Sequence, residues 1–180
     1  MTQANFSLDI ASSWCGAPAL PGERVRLDVV VGPLELHVAI DAPWHGDPLP
    51  DRPPGSCPGL WDFEAVELML LGDDERYLEL EVGPGGHFLV LQLAGVRRVV
   101  ATRHEADVRV EHADARWRAD VRLPAEWLPE GDLRANGFAL YGVGVGRRYL
   151  CAFPTGGDRP DFHQLESFVP VGSLTRGSSV

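Results

Sequence analysis

The chain has 180 residues, enough for one domain that buries a core without disulfide or metal staples. Its net charge of -10, from 26 acidic and 16 basic residues, argues against nucleic acid and anionic lipid surfaces as partners, since both require a basic face. A hydrophobic fraction of 44% is that of an ordinary globular protein.

Period-two alternation runs through the chain. Residues 1–12 lack the basic and apolar segments of a secretory leader and read as a strand, with Phe6, Leu8 and Ile10 on one face. Val25, Leu27, Val29 and Val31 alternate with charged residues, as do Leu34, Leu36, Val38 and Ile40, and Gly32-Pro33 between them predicts a hairpin turn. Residues 42–59 hold six prolines and form a stiff, functional-looking loop. Strands are expected over 62–71 and 76–82, then 87–93, with weaker ones at 96–102 and 107–111. Trp117, Ala119, Val121 and Leu123 alternate with Arg116, Arg118, Asp120 and Arg122, which places Trp117 in the core of a half-buried strand. Only residues 124–128, opening on a proline, suggest a helical turn, with Trp127 plugging one end. Strands at 138–145 and 148–153 follow, then a second irregular loop at 154–164.

Many short strands and almost no helix imply an all-β, two-sheet antiparallel sandwich. One domain is expected over residues 1–174, with a frayed tail at 175–180. Cys15, Cys57 and Cys151 form no C-x-x-C pair and suit free thiols in a reducing compartment, so a cytoplasmic location is expected. Every basic residue is Arg, which suggests a GC-rich coding sequence; separately, a bacterial source is expected.

Six segments in order carry a resemblance. They are Leu60-Trp61-Asp62-Phe63-Glu64-Ala65-Val66-Glu67; Tyr77 to Pro84 with Gly86; Trp117 with Val121 and Pro124; Asn136-Gly137-Phe138-Ala139-Leu140; Arg159-Pro160-Asp161-Phe162-His163; and Phe168. Over residues 6–172 this order resembles the family 9 carbohydrate-binding-module and DOMON-like superfamily, and within it an uncharacterised family of bacterial and animal cytosolic proteins. The resemblance implies a ligand-binding rather than catalytic heritage, with sugars held between aromatic side chains in some relatives and haem in some DOMON domains. No two tryptophans of this chain match the sugar-stacking pair of those relatives.

The carbon–oxygen chemistry a sugar needs can still be sought residue by residue. Glu67, on the strand at 62–71, can lie beside Glu79 and Glu81 of the next strand, whose Leu78, Leu80 and Val82 face the core. Such a cluster is either an Arg-paired structural feature or the floor of a sugar- or metal-facing groove. Trp44, beside His45 and Asp47, either stacks on a ligand or packs its loop; His163 either fixes its loop by hydrogen bonding or ligates a metal. His104 and His112 read as solvated. No nucleophile elbow, zinc motif or phosphate loop occurs, and Gly142-Val143-Gly144-Val145-Gly146 reads as a flexible hairpin. Glu64 and Glu67, three apart on a strand, point to opposite faces and make a poor glycosidase pair.

The expected function is therefore a non-catalytic domain for a carbohydrate or other small polar ligand, with no cofactor, no metal and no catalytic residue. The ligand groove is expected where residues 42–59 meet residues 161–163, with Trp44 and Trp61 as stacking platforms and Glu67, Asp161 and His163 as polar contacts. The alternatives are a protein-interaction module, a haem-binding domain using Met69 or a histidine, and a hydrolase acting through Glu67, Glu79 or Asp161.

Overall fold

The computed structural model describes residues 4–174, so the expected tail at 175–180 lies outside the described residues. The alternating segments become strands β1 (Ala4–Ile10), β2 (Ser12–Ser13), β3 (Val25–Val31), β4 (Glu35–Pro43) and β5 (Gly55–Ser56). The second half supplies β6 (Ala65–Leu71), β7 (Arg76–Val82), β8 (His87–Ala94), β9 (Val99–Arg103) and β10 (Asp107–Ala113). The set ends with β11 (Arg116–Pro124), β12 (Arg134–Tyr141), β13 (Arg148–Cys151) and β14 (Val169–Pro170). The helical content among the described residues is five short 3-10 turns, one of them the expected turn at Ala125–Trp127.

Two sheets face each other. One runs β1-β3-β4-β11-β10; the other runs β2-β13-β12-β6-β7-β8-β5, with β14 on β12 and β9 on β8. Pairing is antiparallel except for β5 beside β8. The inner faces interdigitate through Phe6, Leu8, Leu27, Val38, Trp117 and Val121 from one sheet and Val66, Leu68, Leu80 and Val90 from the other. Gly137 on β12 is required by this approach: a Cβ there would sit 3.0 Å from Leu27 and 3.3 Å from Ile10 and Leu8. The outer face of the smaller sheet is a solvated charge ladder, with Arg116 on Asp41, Arg122 on Glu35 and His37 on Asp120.

The larger sheet is apolar on both faces, as the pattern of residues 62–71 implies, because its outer face is also covered. Leu60, Met69, Tyr77, Leu89, Phe138 and Phe168 form a second core there, roofed by Phe63, Tyr149, Phe162 and Leu165. β6 is the central strand of this sheet. It begins at Ala65 rather than 62, because Leu60–Asp62 forms a 3-10 turn and Glu64 turns aside to accept the His45 and Asp47 backbone N–H groups. The strand expected at 138–145 starts earlier and stops at Tyr141. Gly142 has φ of 79° and gives its N–H to Asp47, which ends the ladder. His112 is not simply solvated: its ring meets the Pro84 carbonyl at 2.8 Å.

Candidate functional site

The roof of the second core is incomplete. Between its covering segments lies a cavity of about 630 Å³, within the range of small-molecule sites. Glu67 and Glu79 form its polar floor, with Leu91, Leu93, Leu140 and Tyr149 from the flanking strands. One wall is Trp61, Asp62, Val143, Gly144 and Arg147; the other is Arg97, Val99 and Pro160 through His163. Four of the five expected ligand contacts thus converge: Trp61, Glu67, Asp161 and His163.

Trp44 does not join them. β4 continues to Pro43 opposite Arg116, and the Trp44 N–H bonds the Ala115 carbonyl, so Trp44 extends the smaller sheet. Its ring packs edge-on against His112 at 4.9 Å. Neighbouring His45 stacks on Tyr141 at 3.5 Å, and Tyr141 donates to Glu23, which Arg148 also pairs at 3.0 Å. This network, with Glu64 beneath it, ties the first part of the proline-rich loop to the rim of the β12–β13 hairpin. The cavity is therefore walled by residues 60–62 and the 142–147 hairpin where the 42–59 loop was expected.

The floor follows from strand register. Glu67 lies directly opposite Glu81, and Glu79 opposite Met69, two pairs further on and so on the same outer face. All three are buried, at 2%, 0% and 4% exposure for Glu67, Glu81 and Glu79. The expectation of Arg pairing is not met: among the described residues no Arg bridges any of the three. No donor, apart from a carboxyl proton of the trio itself, reaches Glu79 Oε2 or either Glu81 oxygen. Burial pushes Glu79 up to about 7, moderated by a hydrogen bond from Glu81 and by Arg97. Burial, then the charges of Glu67 and Glu79, push Glu81 up to about 11. Burial and the Glu79 charge likewise hold Glu67 well above the carboxylate range. At neutral pH Glu81 is a carboxylic acid donating to Glu79.

His163 is fixed by two residues that sequence reasoning passed over. The Arg97 N–H donates to Tyr77 Oη at 3.0 Å, and Tyr77 Oη lies 2.7 Å from His163 Nδ1. Burial raises Tyr77 to about 12, so it keeps its proton and donates it to Nδ1. Burial lowers His163 to about 4, with Arg97 adding to the effect against Asp161, so the ring is neutral and carries its proton on Nε2. Nε2 lies 4.0 Å from Glu79 Oε2, beyond hydrogen-bond reach and at the cavity. Asp161 is committed to its own loop: it accepts from Arg97 at 2.6 Å, the His163 N–H at 3.0 Å and Gln164 at 2.8 Å. Burial works against its charge, but these donors hold its carboxyl below the usual range.

Arg147 is the other residue missed. Its guanidinium donates to the carbonyls of Trp61, Asp62, Phe63 and Gly142 and lies 5.7 Å over the Tyr149 ring. It thereby pins the Trp61 turn to the β12–β13 hairpin and holds that indole, 49% exposed, at the mouth. Met69 is fully buried under this second core. Among the described residues, no group of three or more His, Cys, Asp or Glu is arranged to hold a metal ion.

No family model matches the chain. It is 34% identical to the zebrafish UPF0462 protein C4orf33 homolog over 88% of this chain and 85% of that one. The human UPF0462 protein C4orf33 is 34% identical over 88% and 84% of the two chains, and the mouse homolog 31% identical over 92% and 91%. The chain belongs to the UPF0462 family. The expected bacterial source is corrected by these matches, which come from zebrafish, human, rat and mouse. Among solved structures, a candidate carbohydrate-binding protein from Bacteroides uniformis aligns with a TM-score of 0.68 at 15% identity, over 93% of this chain and 84% of that one. A family 9 carbohydrate-binding module from Caldicellulosiruptor kristjanssonii in complex with cellotriose aligns at 0.51 and 10% identity, over 97% and 79%. The same organism's module in complex with glucose aligns at 0.51 and 12%, over 95% and 98%. These likenesses establish the sandwich fold; a shared fold does not by itself carry a shared ligand.

Proposed function

We propose that this protein is a non-catalytic binding domain whose ligand, a carbohydrate or similar small polar molecule, occupies the cavity on the outer face of the larger sheet. The observation that carries the reading is the juxtaposition of a half-exposed Trp61 indole with the buried polar floor of Glu67 and Glu79 in one cavity. An indole face covers the C–H patch of a sugar ring, while carboxyls and the His163 Nε2–H meet its hydroxyls. Tyr149 and Phe162 add aromatic surface to that of the flanking Leu and Val residues. Asp161 serves by shaping the loop that presents His163. Trp44 packs against His112 and stands outside the contact set.

Two observations disfavour the hydrolase alternative. Glu67 and Glu79 sit side by side on one face of adjacent strands, and Asp161 in the wall is taken up by Arg97, the His163 N–H and Gln164. Met69 is sealed beneath aromatic residues, which leaves no room for an axial haem bond. Three free cysteines, Cys15 exposed and the others buried, fit a reducing compartment such as the cytoplasm. No helix among the described residues is long and apolar enough to cross a membrane.

Isothermal titration with glucose, cellobiose and cellotriose tests the reading. Wild type and Trp44→Ala should bind alike at millimolar concentration, and Trp61→Ala should lose about tenfold or more in affinity. Binding that is indifferent to Trp61→Ala would place the sugar elsewhere. Turnover of chromogenic glycosides, lost in a folded Glu67→Gln variant, would establish the hydrolase instead.

A further inference from the structure

The floor of the cavity holds more acid than its surroundings balance. Glu67 and Glu79 face the space and Glu81 lies directly behind, across from Glu67. The two arginines that line the walls are already engaged, Arg147 by backbone carbonyls and Arg97 by Asp161. His163 is a neutral donor. Glu79, 4% exposed, lines the cavity, and its Oε2 has no hydrogen-bond partner apart from a carboxyl proton of the trio itself. A buried, unpartnered carboxyl oxygen is unfavourable in the empty protein and acquires its partner when a donor arrives.

We propose that the cavity takes a ligand carrying a protonated amino group on a hydroxylated ring, an amino sugar or its equivalent, with the ammonium received by Glu79 and Glu67. This deepens the proposed function and rests on it for the ring, not for the ammonium. An ammonium has three donors, matching two convergent carboxyls, and a neutral hydroxyl offers one. The half-exposed Trp61 indole also favours a cation over a neutral group. The organic body is needed because a bare metal ion would leave most of 630 Å³ unfilled, and the carboxyls are not arranged as a metal cage. Binding keeps Glu79 in its charged form, which its burial otherwise opposes. The neutral imidazole of His163, with Nε2–H directed inward, is left to donate to a ring hydroxyl.

Four probes separate the parts: glucose, glucosamine, N-acetylglucosamine and cyclohexylamine, titrated calorimetrically at pH 7 into wild type and Glu79→Gln. Glucosamine should bind about tenfold or more tighter than glucose, the value expected for one charge-assisted contact. N-acetylglucosamine, which has the ring without the charge, should fall back to the glucose level, and Glu79→Gln should erase the glucosamine advantage. Equal binding of glucose and glucosamine to wild type overturns the ammonium assignment and leaves the sugar reading intact; this comparison does not depend on the variant folding. Binding of cyclohexylamine alone upholds the ammonium contact and overturns the sugar reading. Failure of all four probes overturns both.

Discussion

Replacing Glu81 with glutamine should stabilise the protein, by an amount set by pH. Glu81 is fully buried, and burial together with Glu67 and Glu79 holds its carboxyl up to about 11. In the unfolded chain it titrates near 4.5. Folding at pH 7 therefore requires taking up a proton that the unfolded chain has already released. The sign follows: a folded value raised above the unfolded one means that stability is greatest below pH 4.5 and is lost as pH rises. The gap from 4.5 to pH 7 corresponds to about 3 kcal/mol at 1.36 kcal/mol per pH unit, provided the folded value stays well above 7. Glutamine keeps the shape, donates to Glu79 as the acid does, and carries no proton debt. Urea unfolding of wild type and Glu81→Gln between pH 4.5 and 8 reads the difference. The variant should match wild type near pH 4.5 and exceed it by up to about 3 kcal/mol at pH 7, roughly 6–12 °C in Tm for a domain of this size. A difference that stays constant with pH, or a variant less stable than wild type at pH 7, would refute a buried, protonated Glu81.

Other substitutions probe the parts around the site. His163→Gln should become relatively more stable than wild type as pH falls from about 6.5 toward about 4, because burial depresses the folded histidine and the unfolded chain takes up the proton first; calorimetric Tm against pH checks it. Glu23→Gln breaks the Arg148 ion pair and leaves Tyr141 a neutral acceptor, and should cost about 1–3 kcal/mol in urea unfolding at pH 7, an effect that disappears at acid pH once wild-type Glu23 is protonated. Trp117→Ala should cost about 3–5 kcal/mol, since the indole is enclosed between the sheets. Gly72→Ala should destabilise by roughly 1–3 kcal/mol, because a Cβ there would collide with the Glu130 carbonyl and lie 2.7 Å from Pro129.

Much of the fold was legible because a half-buried strand writes its pleat into the sequence. The alternation around Val25 to Val31 and Trp117 to Leu123 matches the observed burial residue by residue. The outward carboxyls were legible for the same reason, and a tight turn at 72–75 brings Glu67 opposite Glu81. What pairs with them was not. A count of sixteen arginines makes ion pairing plausible, yet each guanidinium near the cavity is taken by a carbonyl or by Asp161, which only the packed loops determine. Arg147 acts on Asp62 across 85 positions of sequence, and nothing local to its hairpin announces that contact. Trp44 illustrates the opposite failure. Its polar neighbours suggested a binding loop, but His45 and Asp47 serve Tyr141, Glu64 and Gly142, and the strand running into Trp44 carries it to the other sheet. Tyr77 lies in the second core, and its role as the hydrogen-bond partner of His163 depends on a loop 86 residues away.

The central claim is that a sugar enters the cavity beneath Trp61. Indole N–H resonances in a two-dimensional ¹⁵N–¹H spectrum report on it directly, since the five tryptophans lie in separate surroundings. Titration with glucose and with glucosamine should move the Trp61 indole progressively to saturation at millimolar ligand and leave Trp44, Trp117 and Trp127 in place. A spectrum unchanged at that concentration, or one in which Trp44 moves and Trp61 does not, would contradict the account.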